Sequence, residues 1–257
     1  MKLYVLGSGG GRYMLATQQL HTSGLWLEHR DKHFFIDPGT GALRDALSLN
    51  LPFQKLSYLF VSHQHLDHYG DSEAVIEAAY FYAKKRNVVG MFNKCMHGEG
   101  EGCFDAISPY HKSLLLKYQV FKKGDVYSDD CCNFVFTPTL HHEPQAIGMV
   151  IEFDDFRIGY TSDTEYFPEF KYYFKNVDVL IAHFAILKKE SSEFRHADKD
   201  DAMRMVKETN ASYIVFRHFS YPLWSYGLKK LKEEFKEVAE DKTIIFANDG
   251  QMYEFNK

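Results

Sequence analysis

The amino-acid sequence predicts an α/β fold in which two mixed β-sheets face each other and helices cover the outside. Three observations support this prediction. Strand-like and helix-like segments alternate along the chain, they do so in two similar halves, and His or Asp residues follow several strand-like segments. Two β-rich halves with helices between them are typical of packed sheets with outer helices. The 257 residues are 45% hydrophobic and have no Pro- or Ser-rich linker, so we expect one domain over residues 1–257.

The strand predictions rest on short runs of β-branched and aromatic residues. In the first half these runs span residues 2–6, 25–29, 32–36 and 56–61. In the second half they span residues 133–137, 147–153, 156–161, 177–183 and 212–217. Helices are predicted over residues 72–85 and 199–209, with a charged helix near residues 228–240.

The most informative segment, residues 62–68, contains His63, His65, Asp67 and His68. It lies on the loop between a predicted strand and the helix that follows. In an extended chain His63 and His65 project to the same side, and the turn that follows directs Asp67 and His68 towards a neighbouring point. Clustered imidazoles and carboxylates are typical of zinc sites, and this spacing favours two adjacent metals. The alternatives are a His-rich surface loop and core histidines bonded to backbone carbonyls.

Other potential metal ligands stand near the ends of later strands. They are His141 and His142, then Asp163, and finally His218. Each occupies an edge where a strand gives way to a loop. Together with the first loop they supply what two metals need, which is a set of imidazoles on each ion and a carboxylate between them.

Composition narrows the class of protein. The first residues indicate a strand entering a turn rather than a signal peptide, and no apolar run approaches the roughly 20 residues of a membrane span. We therefore expect a cytoplasmic protein without a membrane partner. The formal net charge of −5 provides no global basic field for nucleic acid.

The cysteines give a weaker signal, because four are too few for a disulfide scaffold in a chain of this size. Ordinary reduced thiols in a mobile loop are the favoured interpretation. The alternative is a separate structural zinc held by Cys95, His97, Cys103 and either Cys131 or Cys132.

The signature His-x-His-x-Asp-His at residues 63–68 resembles that of the metallo-β-lactamase-fold hydrolase superfamily, and the resemblance extends over nearly the whole chain. It implies a four-layer αββα sandwich of two facing mixed sheets with outer helices. The family's early aspartate at a strand end matches Asp37, which the resemblance implies supports the metal loop without binding the metal.

The same resemblance implies the later ligands. The bridging carboxylate is similar to Asp163 and the terminal histidine to His218. For the remaining histidine we prefer His142, because its distance to Gly148 resembles that of the phosphodiesterase branch, and His141 is the competing choice.

The implied cofactors are two zinc ions, with manganese or iron as alternatives, since nitrogen and oxygen ligands suit all three. The assignment places His63, His65 and His142 on one ion, Asp67, His68 and His218 on the other, and Asp163 between them. The family's di-iron redox branch typically has a glutamate where this chain has His65. Hydrolysis is therefore favoured over oxygen chemistry.

Within the superfamily, residues 195–198 and 215–220 resemble the ribonuclease Z and phosphodiesterase group. In that group a histidine like His196 approaches the phosphate and stabilises charge or protonates the leaving oxygen. The alternative for His196 is an exposed residue just before a helix. Asp67 is expected to orient the attacking hydroxide, which two metals generate from a bridging water.

Two further features receive structural interpretations. His183 is interpreted as a strand-end histidine without a chemical role. The glycine-rich residues 7–11 suggest a dinucleotide loop only superficially, because position 12 is Arg and no long helix pattern follows. We expect a tight turn bordering the metal pocket, with Arg12 as a candidate phosphate contact.

The function that the resemblance implies is a dinuclear-metal phosphodiesterase acting on a small phosphodiester, such as a cyclic nucleotide or a nucleotide-derived ester. The alternative is a ribonuclease Z-like RNA endonuclease, although residues 93–110 are partly acidic and favour a pocket lid over an RNA clamp. A lactonase or thioesterase is third, and a metal-stabilised binding module is the non-enzymatic alternative. Dimerisation is common in the resembling group, so a homodimer is a candidate assembly.

Overall fold

The computed structural model describes residues 1–189, 195–239 and 241–256. Within them the chain forms two compact units. The first comprises Met1–Phe121 together with Asn248–Asn256, and the second comprises Lys122–Ala247. The expectation of one domain over residues 1–257 stays a prediction.

In the described residues the strands follow one another along the whole chain. They are β1 (Lys2–Val5), β2 (Leu25–His29), β3 (Lys32–Ile36), β4 (Leu56–Val61), β5 (Val89–Asn93), β6 (Lys117–Phe121), β7 (Val126–Ser128), β8 (Asn133–Pro138), β9 (Ile147–Glu152), β10 (Arg157–Tyr160), β11 (Val179–His183), β12 (Tyr213–Arg217), β13 (Thr243–Phe246) and β14 (Gln251–Glu254).

The helices are short. They are α1 (Gly11–Thr17), α2 (Ala42–Ser48), α3 (Leu66–Tyr69), α4 (Ser72–Ala83), α5 (Pro109–Leu114), α6 (Phe170–Phe174), α7 (Lys199–Glu208), α8 (Tyr221–Tyr226), α9 (Leu228–Glu234) and α10 (Lys236–Ala239), with a 3₁₀ turn at Phe53–Lys55. Within the described part of the chain, none of the helices has the length and apolar character that crossing a membrane requires.

Each unit contains one mixed seven-stranded sheet. In the first unit the strand order is β14-β1-β2-β3-β4-β5-β6, antiparallel from β14 to β3 and parallel from β3 to β6. In the second unit the order is β13-β12-β11-β10-β9-β8-β7, parallel from β13 to β10 and antiparallel from β10 to β7. Two similar halves, each with a mixed sheet and helices, were predicted from the alternating pattern.

The predicted elements are confirmed with small shifts at their ends. Strands β2, β3 and β4 have the predicted bounds. Helix α4 ends at Ala83, two residues early, because Lys84 adopts a left-handed backbone with φ 53°. The predicted charged helix near residues 228–240 is broken into α9 and α10 at Phe235, whose side chain is buried.

Several elements were missed by the sequence patterns. Strand β6 has mostly half-exposed side chains, so its sequence lacks the apolar run that marks a buried strand. Strand β5 includes Gly90, which weakens a strand pattern. Helix α1 follows the glycine-rich turn but has only seven residues, in keeping with the expectation that no long helix begins there.

Cys95 and Cys103 form a disulfide, so the interpretation of these two residues as reduced thiols was wrong. Gly98, Gly100 and Gly102 all have positive φ, and this allows the intervening chain to fold back until the two Cα atoms are 4.8 Å apart. A mobile loop was expected here, but the segment is a folded turn whose ends are covalently linked.

Helix α4 fixes the loop that carries the histidine-rich signature. Its residues Val75, Ile76 and Ala79 are buried in the same apolar cluster as Leu59 and Val61 of β4. The spacing of the three helical residues is that of one helix face. Packing of this face against β4 therefore holds both ends of the connecting residues 62–71.

Gly39 lies where the chain passes close to this loop. A Cβ atom at this position would be 2.0 Å from the carbonyl oxygen of Thr22 and 2.2 Å from that of Asp67. Both atoms belong to the backbone, so a side chain here requires the loop itself to move. The requirement for glycine comes from close approach, since its φ is not left-handed.

We therefore expect Gly39→Ala to lower the free energy of unfolding by about 2 kcal/mol or more, the upper part of the range for overpacking. The control is Gly102→Ala, where φ is +73° and the space around the Cβ is open, and for which the left-handed backbone alone predicts about 1 kcal/mol. Urea unfolding of the two variants measures the difference. Equal losses would show that close approach at Gly39 is not limiting.

Candidate metal centre

The first group of potential ligands lies at the carboxyl ends of parallel strands in the first unit. Asp37 follows β3, and Ser62 and His63 follow β4. Because β3 and β4 are parallel neighbours, residues just past their carboxyl ends lie at the same edge of the sheet. Asp37 has a left-handed backbone, with φ 50°, which is uncommon for a residue other than glycine.

The carboxylate of Asp37 is fully buried and accepts three hydrogen bonds from the signature segment. The Ser62 amide donates to Oδ1 at 2.6 Å, and the Ser62 hydroxyl donates to Oδ2 at 2.6 Å. His68 Nδ1 donates to Oδ2 at 2.8 Å. The role implied for Asp37, support of the signature loop, matches this geometry.

These bonds determine where two imidazoles carry their protons. A carboxylate only accepts, so His68 holds its proton on Nδ1 and its lone pair on Nε2. The single Ser62 proton is donated to Asp37, so the hydroxyl oxygen accepts from His63 Nδ1 at 2.9 Å. His63 therefore also presents the Nε2 lone pair, the form of histidine that binds metals.

The remaining signature residues complete a set of nitrogen and oxygen donors. His63 Nε2 and His65 Nδ1 are 2.9 Å apart, a spacing that two nitrogens can adopt when each is about 2.0–2.1 Å from one ion. Asp67 Oδ2 lies 3.9 Å from His68 Nε2 and accepts the amide of Gly11 at 2.7 Å. The glycine-rich turn thus contacts Asp67 directly. The residues fit a divalent metal.

The second group lies at the carboxyl edge of β10, β11 and β12, which are parallel neighbours in the second unit. Asp163 follows β10, His183 ends β11, and His218 follows Arg217 at the end of β12. Ser162 and His218 have left-handed backbones, with φ 57° and 66°. Such strained residues cluster at functional sites when the surrounding structure enforces them.

Asp163 is the centre of this second group and is buried. Its Oδ1 lies 2.6 Å from His183 Nδ1 and 3.3 Å from His218 Nε2. Its Oδ2 lies 3.7 Å from both His141 Nε2 and His196 Nδ1. The structure therefore brings Asp163, His196 and His218 together.

The geometry favours His141 over His142, the residue preferred from spacing to Gly148. His141 is buried and directed at Asp163, whereas His142 is exposed. The ring of His142 lies 4.0 Å from that of His141 and 6.1 Å from that of His196. Counting residues to Gly148 cannot detect the turn after β8 that decides which of two adjacent histidines points inward.

The sequence predicted only a strand-end position for His183, whereas in the structure both of its ring nitrogens are hydrogen-bonded to charged side chains. It is fully buried, and burial lowers the pKa of its imidazole well below the usual range, so the ring is neutral. Its Nδ1 bonds to Asp163, and Arg217 donates to its Nε2 at 2.9 Å. The sequence feature that could have indicated a role for His183 is its position at the end of a predicted strand, where other site residues also stand.

A model of the β-lactamase superfamily domain matches residues 32–219, which is well over half of the chain. The chain belongs to this superfamily. The predicted metallo-β-lactamase family and its fold class are thereby confirmed, and membership identifies a metallo-β-lactamase-fold hydrolase whose family binds divalent metals.

Similar proteins match most of the chain. MJ1374 of Methanocaldococcus jannaschii is 32% identical over 212 residues, 82% of this chain and 79% of that protein. The ribonuclease Z of Azobacteroides pseudotrichonymphae is 24% identical, and the match covers 94% of this chain and 96% of that protein. The crystal structure of the metallo-β-lactamase-fold protein YhfI from Bacillus subtilis has a TM-score of 0.79 and 22% identity, covering 98% of each chain.

Replacing the Asp37 carboxylate by an amide is expected to weaken metal binding by this superfamily member. Asp37→Asn turns an acceptor of the Ser62 and His68 protons into a partial donor, so the tautomers of His63 and His68 are no longer fixed. Loss of such a partner costs about 10–100-fold in metal affinity. Competition with a chromophoric zinc chelator measures the change.

The matched control is Asp45→Asn. Asp45 is also a buried carboxylate of the first unit, but its partners are His21, Ser23 and Arg44 rather than the signature segment. The control should keep wild-type zinc affinity. If both variants bound zinc as the wild type does, Asp37 would have no part in preparing the ligands.

Proposed function

We propose that this chain is a dinuclear-metal phosphodiesterase that acts on a small phosphodiester, such as a cyclic nucleotide or a nucleotide-derived ester. The observation that carries the proposal is the concentration of His141, His196 and His218 around the buried Asp163, at a strand edge of a metallo-β-lactamase-fold protein. Ribonuclease Z among the relatives supports phosphodiester chemistry.

The proposed ligands are those assigned from the sequence, with His141 replacing His142. His63, His65 and His141 bind one ion, Asp67, His68 and His218 bind the other, and Asp163 is shared. Zinc is the proposed metal and manganese or iron the alternatives, because every ligand is an imidazole nitrogen or a carboxylate oxygen. The number and identity of the ions are part of the proposal.

When bound, such ions supply Lewis acidity: they favour ionisation of a water molecule and offset the charge that develops on the phosphoryl oxygens. The protein's own groups do the rest. The Gly11 amide limits rotation of the Asp67 carboxylate, which then accepts a hydrogen bond from the attacking water and orients it. His196 has a side chain that is 16% exposed, so a substrate can reach it, and it donates a proton to the leaving oxygen.

Two observations favour a small substrate over RNA. Residues 94–108 contain three carboxylates and one lysine, an unfavourable charge for binding a phosphate backbone. The Cys95–Cys103 disulfide also closes this segment into a compact turn. A ribonuclease Z-like RNA endonuclease is the second candidate, because the ribonuclease Z relative covers nearly the whole chain. A cytoplasmic location and a homodimer stay predictions.

The choice between the two adjacent histidines is tested by metal content. His141→Ala should lose about one equivalent of zinc after dialysis, because a ligand directed at Asp163 is removed. His142→Ala is the matched control, since it removes the same side chain one residue along, and it should keep the wild-type zinc content. The reverse pattern, measured by plasma emission spectroscopy, would restore His142 as the ligand.

Turnover separates the metal ligands from His196. Zinc- or manganese-loaded protein should hydrolyse bis(p-nitrophenyl) phosphate, and Asp163→Ala should lose both metal and activity. On a cyclic nucleotide, whose alkoxide leaving group must be protonated, His196→Ala should keep its metal and lose roughly 100-fold or more in kcat, the range for removal of a general acid. If His196→Ala kept full turnover, its proposed role would be wrong.

Further substrates decide between the remaining candidates. Cleavage of a structured RNA with a 3′ extension, without turnover of cyclic nucleotides, would favour the RNA endonuclease. Hydrolysis of a p-nitrophenyl carboxylate ester without diester cleavage would indicate a lactonase or thioesterase. Fully metallated protein that turns over none of these compounds would indicate a binding module.

A further inference from the structure

Arg217 is a buried cation that the proposed reaction does not use. It is 1% exposed and lies at the end of β12, beside His183 at the end of β11, and the two residues are register partners in the parallel pair. Burying a guanidinium is unfavourable unless its charge and its donors are matched. A role confined to packing does not require a cation at this position.

The three residues Arg217, His183 and Asp163 form a continuous chain of hydrogen bonds. Arg217 Nη1 donates to His183 Nε2 at 2.9 Å, and His183 Nδ1 lies 2.6 Å from Asp163 Oδ1. A guanidinium only donates, so Nε2 must accept and the imidazole proton must be on Nδ1. Nδ1 therefore donates to Asp163, and both ring nitrogens are engaged by side chains rather than presented to a metal.

The same ring also contacts a proposed metal ligand. His183 and His218 are stacked, with ring centroids 4.6 Å apart and planes inclined by 9°. One imidazole thus touches two proposed ligands, holding the carboxylate of Asp163 by a hydrogen bond and the ring of His218 by stacking.

We propose that Arg217 and His183 are positioning residues that fix the orientation of the Asp163 carboxylate for metal binding. This inference rests on the metal centre proposed above. Arg217 keeps the His183 ring in one orientation, and His183 then limits rotation of the Asp163 carboxylate about its Cβ–Cγ bond. A bridging carboxylate must direct both oxygens correctly, so its orientation affects affinity at both ions.

Two substitutions of His183 separate the donor from the ring. Asn places its amide nitrogen where His Nδ1 lies, so His183→Asn keeps a donor towards Asp163. Gln places its amide nitrogen near the position of Nε2, so His183→Gln removes the donor from Asp163. We expect zinc affinity to fall about 10–100-fold in His183→Gln and to change by less than about threefold in His183→Asn.

His33→Gln is the control for replacing a buried histidine. His33 is 3% exposed, lies on β3 in the first unit, and has Trp26 as a ring neighbour. It should leave zinc affinity unchanged. Thermal unfolding of the metal-free variants measures any general destabilisation. If His183 acts by positioning Asp163, the order of the melting temperatures should not follow the order of the zinc affinities.

Arg217 is tested by the ring orientation of His183 that it enforces. In ¹⁵N-edited spectra of metal-free wild-type protein, His183 should show a protonated Nδ1 and an unprotonated Nε2. Arg217→Met should keep the Nδ1 proton that Asp163 requires, but it should give more than one ring orientation, seen as split or broadened ring signals, and bind zinc more weakly. Arg217→Lys, which keeps a cationic donor, should restore part of the wild-type pattern.

The outcomes distinguish this inference from the proposed function. Wild-type protein that binds no zinc, manganese or iron would overturn both. Wild-type protein that binds zinc, with His183→Gln binding equally tightly, would overturn only the positioning role. An equal loss of zinc affinity in His183→Asn and His183→Gln would also overturn it, since the donor that Asn retains would then contribute nothing to zinc binding.

Discussion

The signature loop depends on the buried carboxylate of Asp37. Its two oxygens accept from the Ser62 amide, the Ser62 hydroxyl and His68 Nδ1, so one side chain fixes the path of the loop and the protonation of its imidazoles. A buried carboxylate without hydrogen bonds would be costly, and these three bonds offset that cost. Asp37 fixes the tautomer of His68 by a direct hydrogen bond, and it fixes the tautomer of His63 through the Ser62 hydroxyl.

In both units the candidate metal ligands lie at the carboxyl ends of parallel strands. In the first unit Asp37 and the signature segment follow β3 and β4, and in the second Asp163, His183 and His218 stand at the ends of β10, β11 and β12. Parallel neighbours bring residues that are distant in sequence to one edge, where loops can depart without disturbing the ladder. The left-handed residues at these ends turn the chain sharply as it leaves the sheet.

The sequence predicted best what depends on local pattern. The signature residues and strands β2 to β4 could be read directly, because ligand spacing and apolar runs are properties of adjacent residues. The chain from Arg217 through His183 to Asp163 could not, since it depends on the register of three strands joined by long connections. The inward direction of His141 depends on one turn, and the Cys95–Cys103 bond on three glycines with positive φ.

The pairing of β1 with β14 has a consequence for how the protein folds. β14 completes the sheet of the first unit, yet its residues are synthesised after the whole second unit, and the backbone of Met1 is hydrogen-bonded to that of Phe255. During translation the edge of the first sheet beside β1 therefore stays open until β14 is synthesised. Contacts of such long sequence separation slow folding, and an open edge is a template for pairing with other chains. β14 closes that edge.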